Sequence, residues 1–371
     1  MLSALRFHSL LLSLRSGTQD FTGKVRKFLP RFLNPILIHK QPVSYDAYKI
    51  STPTINFDPA DMLTRNEAIH FLQDSWKMND VELQLKADRE MFLNRLIQTM
   101  YAKVPFQLLT ASKEISSMLN KQKNAPYTIK KVNEMCMSSL GGGCNVMGTF
   151  TWQLLSVLGY SAHLCRVLIT SSGTNIHLAV IVKDLVNPGD IHMVDCGFGQ
   201  PTFRAISLNF NKESPIFQES YLEYKYIKHD GKILRMHGKG DLVKRNHPPI
   251  EGVDFIIGKW RRFYEFSLQD FERKALEGLG NHFDVRCVPP HVALRRAAIY
   301  PEGKAIILTG NNLFIEEKDK TLKKIKLTTD DEIITAYQDH FPSIDKNLVS
   351  LAYSAEPLKD LNELGVEFIL Q

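Results

Sequence analysis

The first half of the chain has the apolar spacing of helices. Within residues 88–101 the apolar side chains recur at intervals of three and four, which places them on one buried face of a helix. They are Phe92, Leu93, Leu96, Ile97 and Met100. Pro105 ends this segment, and the same spacing recurs over residues 128–140. We expect a third helix over 144–158, because Gly159 follows it in the position of a C-terminal cap.

After Gly159 the pattern changes to one typical of strands. Residues 162–170, 176–182 and 191–196 are short, apolar and β-branched, and a turn sequence, Asn-Pro-Gly-Asp, separates the last two. They predict a strand followed by an antiparallel hairpin. Further strands with long connections are expected from about 200 to 325, and a capped helix over 328–341. The fold class is therefore predicted to be α+β, with a helical part followed by a mostly β part.

The composition is that of a globular protein. The 371 residues are 44% hydrophobic and 23% charged, which excludes disordered, collagen-like and coiled-coil classes. No apolar run reaches the roughly 20 residues that a membrane-spanning helix needs. The five cysteines fit neither a disulfide framework nor paired Cys-x-x-Cys zinc motifs, and the histidines lack metal-ligand spacing, so we expect free thiols and no metal. The cysteines are Cys136, Cys144, Cys165, Cys196 and Cys287.

The net charge of +6 comes from the N-terminal segment. Residues 1–45 contain seven basic residues and one acidic residue, and the rest of the chain has 39 of each. The body is therefore neutral, which excludes the electrostatic footprint of a nucleic-acid-binding protein. Residues 1–45 have the composition of a mitochondrial transit peptide, and the alternative is a poorly ordered extension. We expect a cytoplasmic protein, or a mitochondrial one if this segment acts as a transit peptide.

Three residues could form a nucleophilic site. Cys144 follows three glycines and opens a helix, where unpaired backbone N–H groups and the helix dipole favour the thiolate. His177 begins the first strand of the hairpin, and Asp195 ends the second. If the hairpin is symmetric about Val186, His177 and Asp195 lie directly opposite each other, about 5 Å apart at Cβ. A carboxylate in that position orients the imidazole that deprotonates a thiol.

Each of these residues also has a plainer interpretation. A cysteine within an apolar helix is usually an inert core residue, and a lone histidine in a strand is usually structural. A carboxylate before Gly-Phe-Gly is most often a turn residue. The order of the three residues, the glycines before Cys144 and the complementarity of the hairpin together favour catalysis. The glycines would also let a substrate carbonyl approach the backbone, as an oxyanion site requires.

In these motifs the sequence resembles the arylamine N-acetyltransferase family. Segment 141–144 is similar to the family's Arg-Gly-Gly-x-Cys nucleophile motif, and segment 194–199 to its Val-Asp-x-Gly-Phe-Gly motif. Ile176-His177 is similar to its histidine segment, and Val104-Pro105-Phe106 to an upstream Val-Pro-Phe. Further similar segments, which extend the resemblance over roughly residues 60–345, are 263–266, 270–272, 308–313 and the helix that ends at Phe341.

The resemblance implies three domains around a papain-like Cys–His–Asp core. After the extension 1–45 these would be a helical bundle (46–160), a central β-barrel (161–270) and a C-terminal lid of sheet and helix (271–371). The implied enzyme passes an acetyl group from acetyl-CoA, through a cysteine thioester, to an arylamine, arylhydrazine or N-hydroxyarylamine in a ping-pong mechanism of xenobiotic metabolism. We expect the protein to be a monomer.

The resemblance also implies roles for individual residues. Cys144, His177 and Asp195 would form the catalytic triad. The side chains expected to line the acceptor pocket are Phe106 and Phe198, and those expected to flank the channel for the pantetheine of CoA are Gly197 and Gly199.

The sequence departs from the family's pattern near the site. Leu140 stands where the family has an arginine, Gly143 where it has a bulky residue and Gly148 where it has an asparagine. Segment 288–292, Val-Pro-Pro-His-Val, lacks the hydroxyls with which the family's Thr-Ser-Pro-x-Ser stretch contacts CoA. We therefore expect a divergent member of the family, with room for a different acyl donor or acceptor.

Two other functions fit the same residues. A papain- or transglutaminase-like thiol hydrolase would use the same cysteine, histidine and aspartate but release acyl groups to water. A non-catalytic protein would keep the pocket for a hydrophobic or nucleotide-like ligand and would form no covalent adduct at Cys144.

Overall fold

A computed structural model describes residues 59–111, 113, 128–169, 174–242, 244–245, 255–268, 295–354 and 368–369. Several sequence-based expectations lie outside these residues: those for the extension 1–45, the motif 270–272, Cys287 and segment 288–292. The main helices are α1 (Arg65–Asp74), α2 (Val81–Ala87), α3 (Arg89–Lys103), α4 (Ile129–Met137), α5 (Cys144–Val157), α6 (Asp330–His340) and α7 (Lys346–Ser354).

Side-chain caps fix where several helices begin. Asp88 at the start of α3 accepts a hydrogen bond of 2.8 Å, and Thr128 at the start of α4 accepts one of 3.1 Å, each from the backbone N–H three residues further on. Helix α6 begins with a capping box between Thr329 and Glu332. The four helices predicted from apolar spacing and capping signals are confirmed, and their ends lie within three residues of the predicted ones.

Fourteen of the described strands form two main antiparallel sheets, and two more pair with each other, which makes sixteen. They are β1 (Phe106–Gln107), β2 (Ser161–Ile169), β3 (Thr174–Lys183), β4 (Ile191–Val194), β5 (Ile206–Ser207), β6 (Phe217–Glu219), β7 (Leu222–His229), β8 (Lys232–His237), β9 (Lys244–Arg245), β10 (Ile256–Ile257), β11 (Trp260–Phe266), β12 (Arg296–Ile299), β13 (Ile306–Thr309), β14 (Asn312–Glu316), β15 (Leu322–Lys326) and β16 (Phe368–Ile369). The larger sheet has the order β5-β4-β3-β2-β11-β8-β7-β6, with β10 paired to β11, and curls into a half-barrel. The predicted α+β class is confirmed.

The smaller sheet joins the helical part of the chain to the C-terminal part. Its order is β1-β12-β13-β14-β15, so the short strand after α3 pairs with a strand almost two hundred residues later. Phe106 pairs with Ala298 and also forms a parallel bridge with Gly142. An apolar cluster of α6, α7 and this sheet includes Tyr337 and Phe341. The bridge ties the glycine loop before Cys144 to the edge of this sheet.

The β3–β4 hairpin differs from the symmetric hairpin predicted. Lys183 pairs with Ile191, which centres the turn on residue 187 rather than 186, so the predicted register is wrong. The cause is Asp190, whose carboxylate accepts hydrogen bonds of 2.7–2.9 Å from the backbone N–H groups of residues 185–187. This side chain closes a wider turn than the four-residue turn sequence suggests.

Two arginines satisfy backbone groups at the C-terminal end of helix α5. Arg65 donates to the carbonyl of Val157 at 3.2 Å, and Arg89 donates to that of Gly159 at 2.9 Å. The last carbonyls of a helix have no partner within it, and they lie at the negative end of its dipole. Gly159 has a φ of +88°, as expected of the predicted C-terminal cap. Both ends of the helix that carries the cysteine are therefore fixed by the surrounding chain.

The middle of α5 lies directly on the backbone of β3. A Cβ atom added at Gly148 would be 2.6 Å from the carbonyl oxygen of Leu178, a distance that side chains essentially never show. The helix can approach the strand this closely because glycine has no side chain. Leu178 follows His177, and Gly148 lies one helical turn after Cys144. This contact therefore sets the spacing between the two residues.

Candidate active site

The glycine loop delivers Cys144 to the start of α5. Gly141 has a φ of +68°, and a Cβ atom there would lie 1.8 Å from the carbonyl oxygen of Pro105, so this turn requires glycine. The N–H of Gln107 donates to the carbonyl of Gly142 at 3.1 Å and ties the loop to β1. No side chain caps the first turn of α5. Backbone N–H groups at such a position can stabilise a developing negative charge beside Cys144.

His177 is buried against Asp195. Its Nε2 lies 2.9 Å from Oδ1 of Asp195, and the two side chains are 0% and 1% exposed. Its Nδ1 is buried and makes no hydrogen bond within the described residues. Nδ1 is therefore the ring nitrogen left for Cys144, whose side chain is among the groups that raise the pKa of His177.

Two features of β3 direct His177 toward Asp195. The pairing of Val180 with Val194 extends to place Asp195 opposite residue 179, so His177 is its diagonal neighbour on the same face of the sheet. The register between β2 and β3 also shifts by one residue directly before His177, which is a β-bulge. Bulges re-aim the side chains beside them. The two residues meet as predicted, although by a diagonal rather than a direct pairing.

Four groups besides His177 contact Asp195. Its Oδ1 also accepts a 3.3 Å hydrogen bond from the N–H of Gly197, and its Oδ2 accepts one of 3.0 Å from the hydroxyl of Tyr264. The guanidinium of Arg235 lies 3.7 Å from Oδ2, and the hydroxyl of Tyr101 donates to the Asp195 carbonyl at 2.6 Å. These contacts leave the carboxylate one orientation, in which Oδ1 faces the imidazole.

The charges of this cluster are strongly coupled. Burial alone would lower the pKa of His177, but the Asp195 carboxylate and the Cys144 side chain outweigh burial and raise that pKa. Burial alone would raise the pKa of Asp195, but His177, Arg235 and Tyr264 hold it below its usual value. The protonated imidazole and the ionised carboxylate therefore stabilise each other. Such an imidazolium is a suitable partner for a thiolate.

The other four predicted site residues lie beside this cluster. A Cβ atom at Gly197 would be 3.3 Å from Cε1 of the histidine and from the backbone oxygen of the cysteine. The ring of Phe198 meets the His177 ring edge-on, with centroids 4.8 Å apart, and stacks on Phe106 at 6.3 Å. Gly199 has a φ of +65°, and a Cβ atom there would be 2.6 Å from the Phe106 ring. All seven predicted residues are thus brought together.

Three residues that contact Asp195 were missed by sequence reasoning. Tyr264 stands in a segment that carried the family resemblance, but nothing in the sequence connects its hydroxyl to Asp195. Arg235 lies between Leu234 and Met236 in a short apolar strand. A charged residue at a buried strand position was the available signal, because such residues are almost always paired. Tyr101 lies at the end of the apolar face of α3 and gave no signal beyond its hydroxyl.

Two departures from the family pattern have a local explanation. Leu140 is partly buried and packs against both main apolar clusters, so apolar contacts hold the position at which the family has an arginine. A Cβ atom at Gly143 would be 3.3 Å from Cδ2 of Leu108, which leaves little room for the family's bulky residue. Leu140 and Gly143 therefore both fit the packing around the glycine loop.

Comparisons with known proteins identify the family and the fold. A family model described as N-acetyltransferase matches residues 91–348. The chain is similar in structure to the arylamine N-acetyltransferase of Mycobacterium marinum in complex with CoA, with 16% identity, a TM-score of 0.56 and coverage of 76% of this chain and 97% of that one. The Nocardia farcinica enzyme matches at 17% identity and a TM-score of 0.56, covering 76% and 96%. The M. smegmatis enzyme matches at 18% and 0.53, covering 72% and 91%. No curated protein matches the sequence.

The family model covers more than half of the chain, and the chain belongs to the arylamine N-acetyltransferase family, a family of acyltransferases. The resemblance found in the sequence is confirmed. Among the described residues no cluster of histidine, cysteine or acidic side chains could hold a metal ion. In the same part of the chain no helix is long and apolar enough to cross a membrane.

Proposed function

We propose that the protein transfers an acetyl group from acetyl-CoA to an arylamine, arylhydrazine or N-hydroxyarylamine through a thioester on Cys144. His177 acts as acid and base, and Asp195 orients it. The observation that carries the proposal is the buried 2.9 Å contact between His177 Nε2 and Asp195 Oδ1, which leaves Nδ1 for the cysteine that opens α5. Membership of the family supports acyl transfer in general.

In the first half-reaction the Cys144 thiolate attacks the carbonyl carbon of acetyl-CoA. Backbone N–H groups at the start of α5 stabilise the oxyanion that forms. The carbon–sulfur bond to CoA then breaks, and the leaving thiolate takes the proton from the His177 imidazolium. The products are CoA thiol, acetyl-Cys144 and neutral His177, so one thioester has replaced another at little cost in free energy.

In the second half-reaction the amine nitrogen attacks the acetyl-Cys144 carbonyl. Neutral His177 accepts the proton that the nitrogen loses, and Cys144 leaves as a thiolate. The products are the N-acetylated amine and the original thiolate–imidazolium pair. The first step exchanges two thioesters of nearly equal free energy, so the selectivity of the reaction lies in this second step.

The neighbouring residues provide the binding surfaces of the proposal. Phe106 and Phe198 line the acceptor pocket, and their stacked rings suit an aromatic amine. Gly197 and Gly199 flank the channel for pantetheine, and their lack of side chains lets this segment pack closely against His177 and Phe106. The structure of the M. marinum relative in complex with CoA supports a CoA thioester as donor.

The same proposal includes an arrangement of domains and a location. Residues 46–160 form the helical domain that carries the nucleophile, 161–270 the β domain that carries His177 and Asp195, and 271–371 the lid. The protein acts as a cytoplasmic monomer in xenobiotic metabolism, or in mitochondria if residues 1–45 act as a transit peptide.

Turnover by matched cysteine variants tests the proposal. Cys144→Ala is expected to stay folded and lose N-acetylation of an arylamine by at least about a thousandfold, because the covalent route is removed. Cys136→Ala is the control, since burial raises the pKa of that α4 thiol well above its usual value and keeps it inert. Full turnover by Cys144→Ala would show that Cys144 is not the nucleophile.

The products formed by the unmodified protein separate the other two functions. A hydrolase would consume acetyl-CoA and release acetate at the same rate with and without amine. A binding protein would bind CoA or the amine saturably and form neither acetate nor acetylated amine. Either result would contradict acetyl transfer.

A further inference from the structure

Arg235 is a fully buried cation beside the candidate triad. It lies in β8 of the half-barrel and is 0% exposed. Within the described residues the one carboxylate paired with its guanidinium is Asp195, with Nη1 at 3.7 Å from Oδ2. A buried guanidinium is costly unless a nearby negative charge and hydrogen bonds compensate it. The position of Arg235 therefore depends on Asp195 being ionised.

The hydrogen bonds of Arg235 hold the segment that follows Asp195. Nη1 donates to Oγ1 of Thr202 at 2.7 Å, and Nη2 donates to the carbonyl of Pro201 at 3.2 Å. Its guanidinium lies over the ring of Tyr224, 4.3 Å from the centroid. These contacts fix the guanidinium on the Oδ2 side of the carboxylate, opposite the side on which His177 binds Oδ1.

Asp195 thus lies between two cations, the His177 imidazolium and the Arg235 guanidinium. We propose that Arg235 is a positioning residue that shares the charge of Asp195, and so limits how strongly Asp195 holds the proton on His177. The idea rests on the proposed function in one respect: His177 must give its proton to the departing CoA thiolate and take one back from the amine.

Electrostatics gives the sign of the effect. If Arg235 is replaced by an uncharged side chain, the full field of the Asp195 carboxylate acts on His177, and the repulsion between the two cations is also removed. Both changes increase the proton affinity of the imidazole. A merely structural role for Arg235 predicts loss of stability with no fixed direction in that affinity.

Other titratable groups lie around His177 and Asp195, and none of them is substituted in the test. They are Cys144 on α5, Tyr101 on α3, Tyr226 on β7, Tyr264 on β11 and Cys196 after β4. Burial raises the pKa of each of these tyrosines, so they stay neutral near pH 7. The charged groups that matter there are His177, Asp195 and Arg235.

An NMR titration of the His177 ring in the unacylated protein tests the proposal. The signal is assigned with His177→Asn, and the pKa of His177 is compared in wild type, Arg235→Met and Arg235→Lys. We expect Arg235→Met to raise the pKa of His177 by at least about one unit, a tenfold gain in proton affinity, and Arg235→Lys to restore most of the wild-type value. An unchanged or lowered pKa in folded Arg235→Met would overturn the proposal.

Thr202→Val is the matched control, because it removes the short hydrogen bond to Arg235 and keeps the charge. It is expected to leave the pKa of His177 at the wild-type value. A rise equal to that of Arg235→Met would show that the loop contact acts rather than the charge, and would also overturn the proposal.

A double variant decides the case in which Arg235→Met does not fold. If the defect is the loss of the cation that compensates the Asp195 carboxylate, then removing both charges in Asp195→Asn/Arg235→Met restores a cooperative thermal unfolding transition. A double variant that also fails to fold would contradict the pairing. These readouts need no acetyl transfer, so failure of the proposed enzyme activity would be visible separately.

Discussion

Gly148→Ala perturbs the spacing between helix α5, which begins at Cys144, and strand β3, which contains His177. The added Cβ atom would lie 2.6 Å from the carbonyl oxygen of Leu178, whereas ordinary contacts begin at 3.4 Å. Because the obstacle is backbone and not a flexible side chain, α5 and β3 must separate by roughly 0.8 Å, the difference of these two distances. Cys144 lies one turn away on the same helix and moves with it.

Two opposing terms determine the effect of Gly148→Ala on stability. Overpacking costs about 1–3 kcal/mol, and the better helix propensity of alanine returns about 1 kcal/mol. The free energy of unfolding is therefore expected to fall by about 0–2 kcal/mol, so the protein stays folded. A misplacement of about 1 Å between reacting groups can cost a factor of about 100 in rate. We expect acylation of Cys144 to slow by about 10–100-fold.

Single-turnover acylation by acetyl-CoA, followed by rapid quench and mass spectrometry, measures this rate directly. Thermal unfolding of the same samples gives the stability. Ser156→Ala on the same helix is the matched control. It lies three turns from Cys144, and among the described residues its hydroxyl donates only to the Trp152 carbonyl, at 2.7 Å. Wild-type acylation in folded Gly148→Ala would refute the inference that this contact sets the Cys144–His177 spacing.

Two further predictions concern the buried pair and the loop after it. The pKa of Asp195 is lowered in the folded protein, so the contribution of Asp195 to stability is present above about pH 4 and lost on acidification. The pKa of His177 is raised, so the contribution of His177 is present below about pH 6.5 and lost at higher pH. The difference in unfolding free energy between wild type and Asp195→Asn should therefore be largest between about pH 4 and 6.5 in urea titrations, and a difference independent of pH would contradict the pairing. Gly199→Ala places a Cβ atom 2.6 Å from the Phe106 ring at a φ of +65°, and Gly189→Ala meets the same backbone strain in open space at +84°. We expect only Gly199→Ala to raise the KM for an arylamine, by about tenfold, and equal KM values would show that the ring contact does not matter.

Local signals predicted the helices and singled out the residues of the candidate site, because caps, apolar periodicity and the glycine loop depend on nearby residues. The apolar face of residues 88–101 and the capping residue Thr329 specify their helices without any tertiary information. The predicted pairing of His177 with Asp195 assumed a hairpin symmetric about Val186, which puts both side chains on the same face of the sheet. The register was wrong because the Asp190 side chain reshapes the turn, yet the shift preserved that face.

The remaining features depend on contacts between distant parts of the chain. Arg235 and Tyr264 reach Asp195 from strands that follow it by 40 and 69 residues, and their order in the sheet is not written in any local pattern. Gly148 looked like the loss of the family's asparagine. In the structure it is the position at which α5 touches β3, which only tertiary packing could reveal.

The central claim is that Cys144 carries the acetyl group, and intact-protein mass spectrometry after incubation with acetyl-CoA tests it most directly. The proposed thioester predicts a single adduct of about 42 Da, mapped to Cys144, that disappears when an arylamine is added and N-acetylated amine forms. No adduct with acetyl-CoA or a longer acyl-CoA, or an adduct at Cys144 that an arylamine does not discharge, would contradict it.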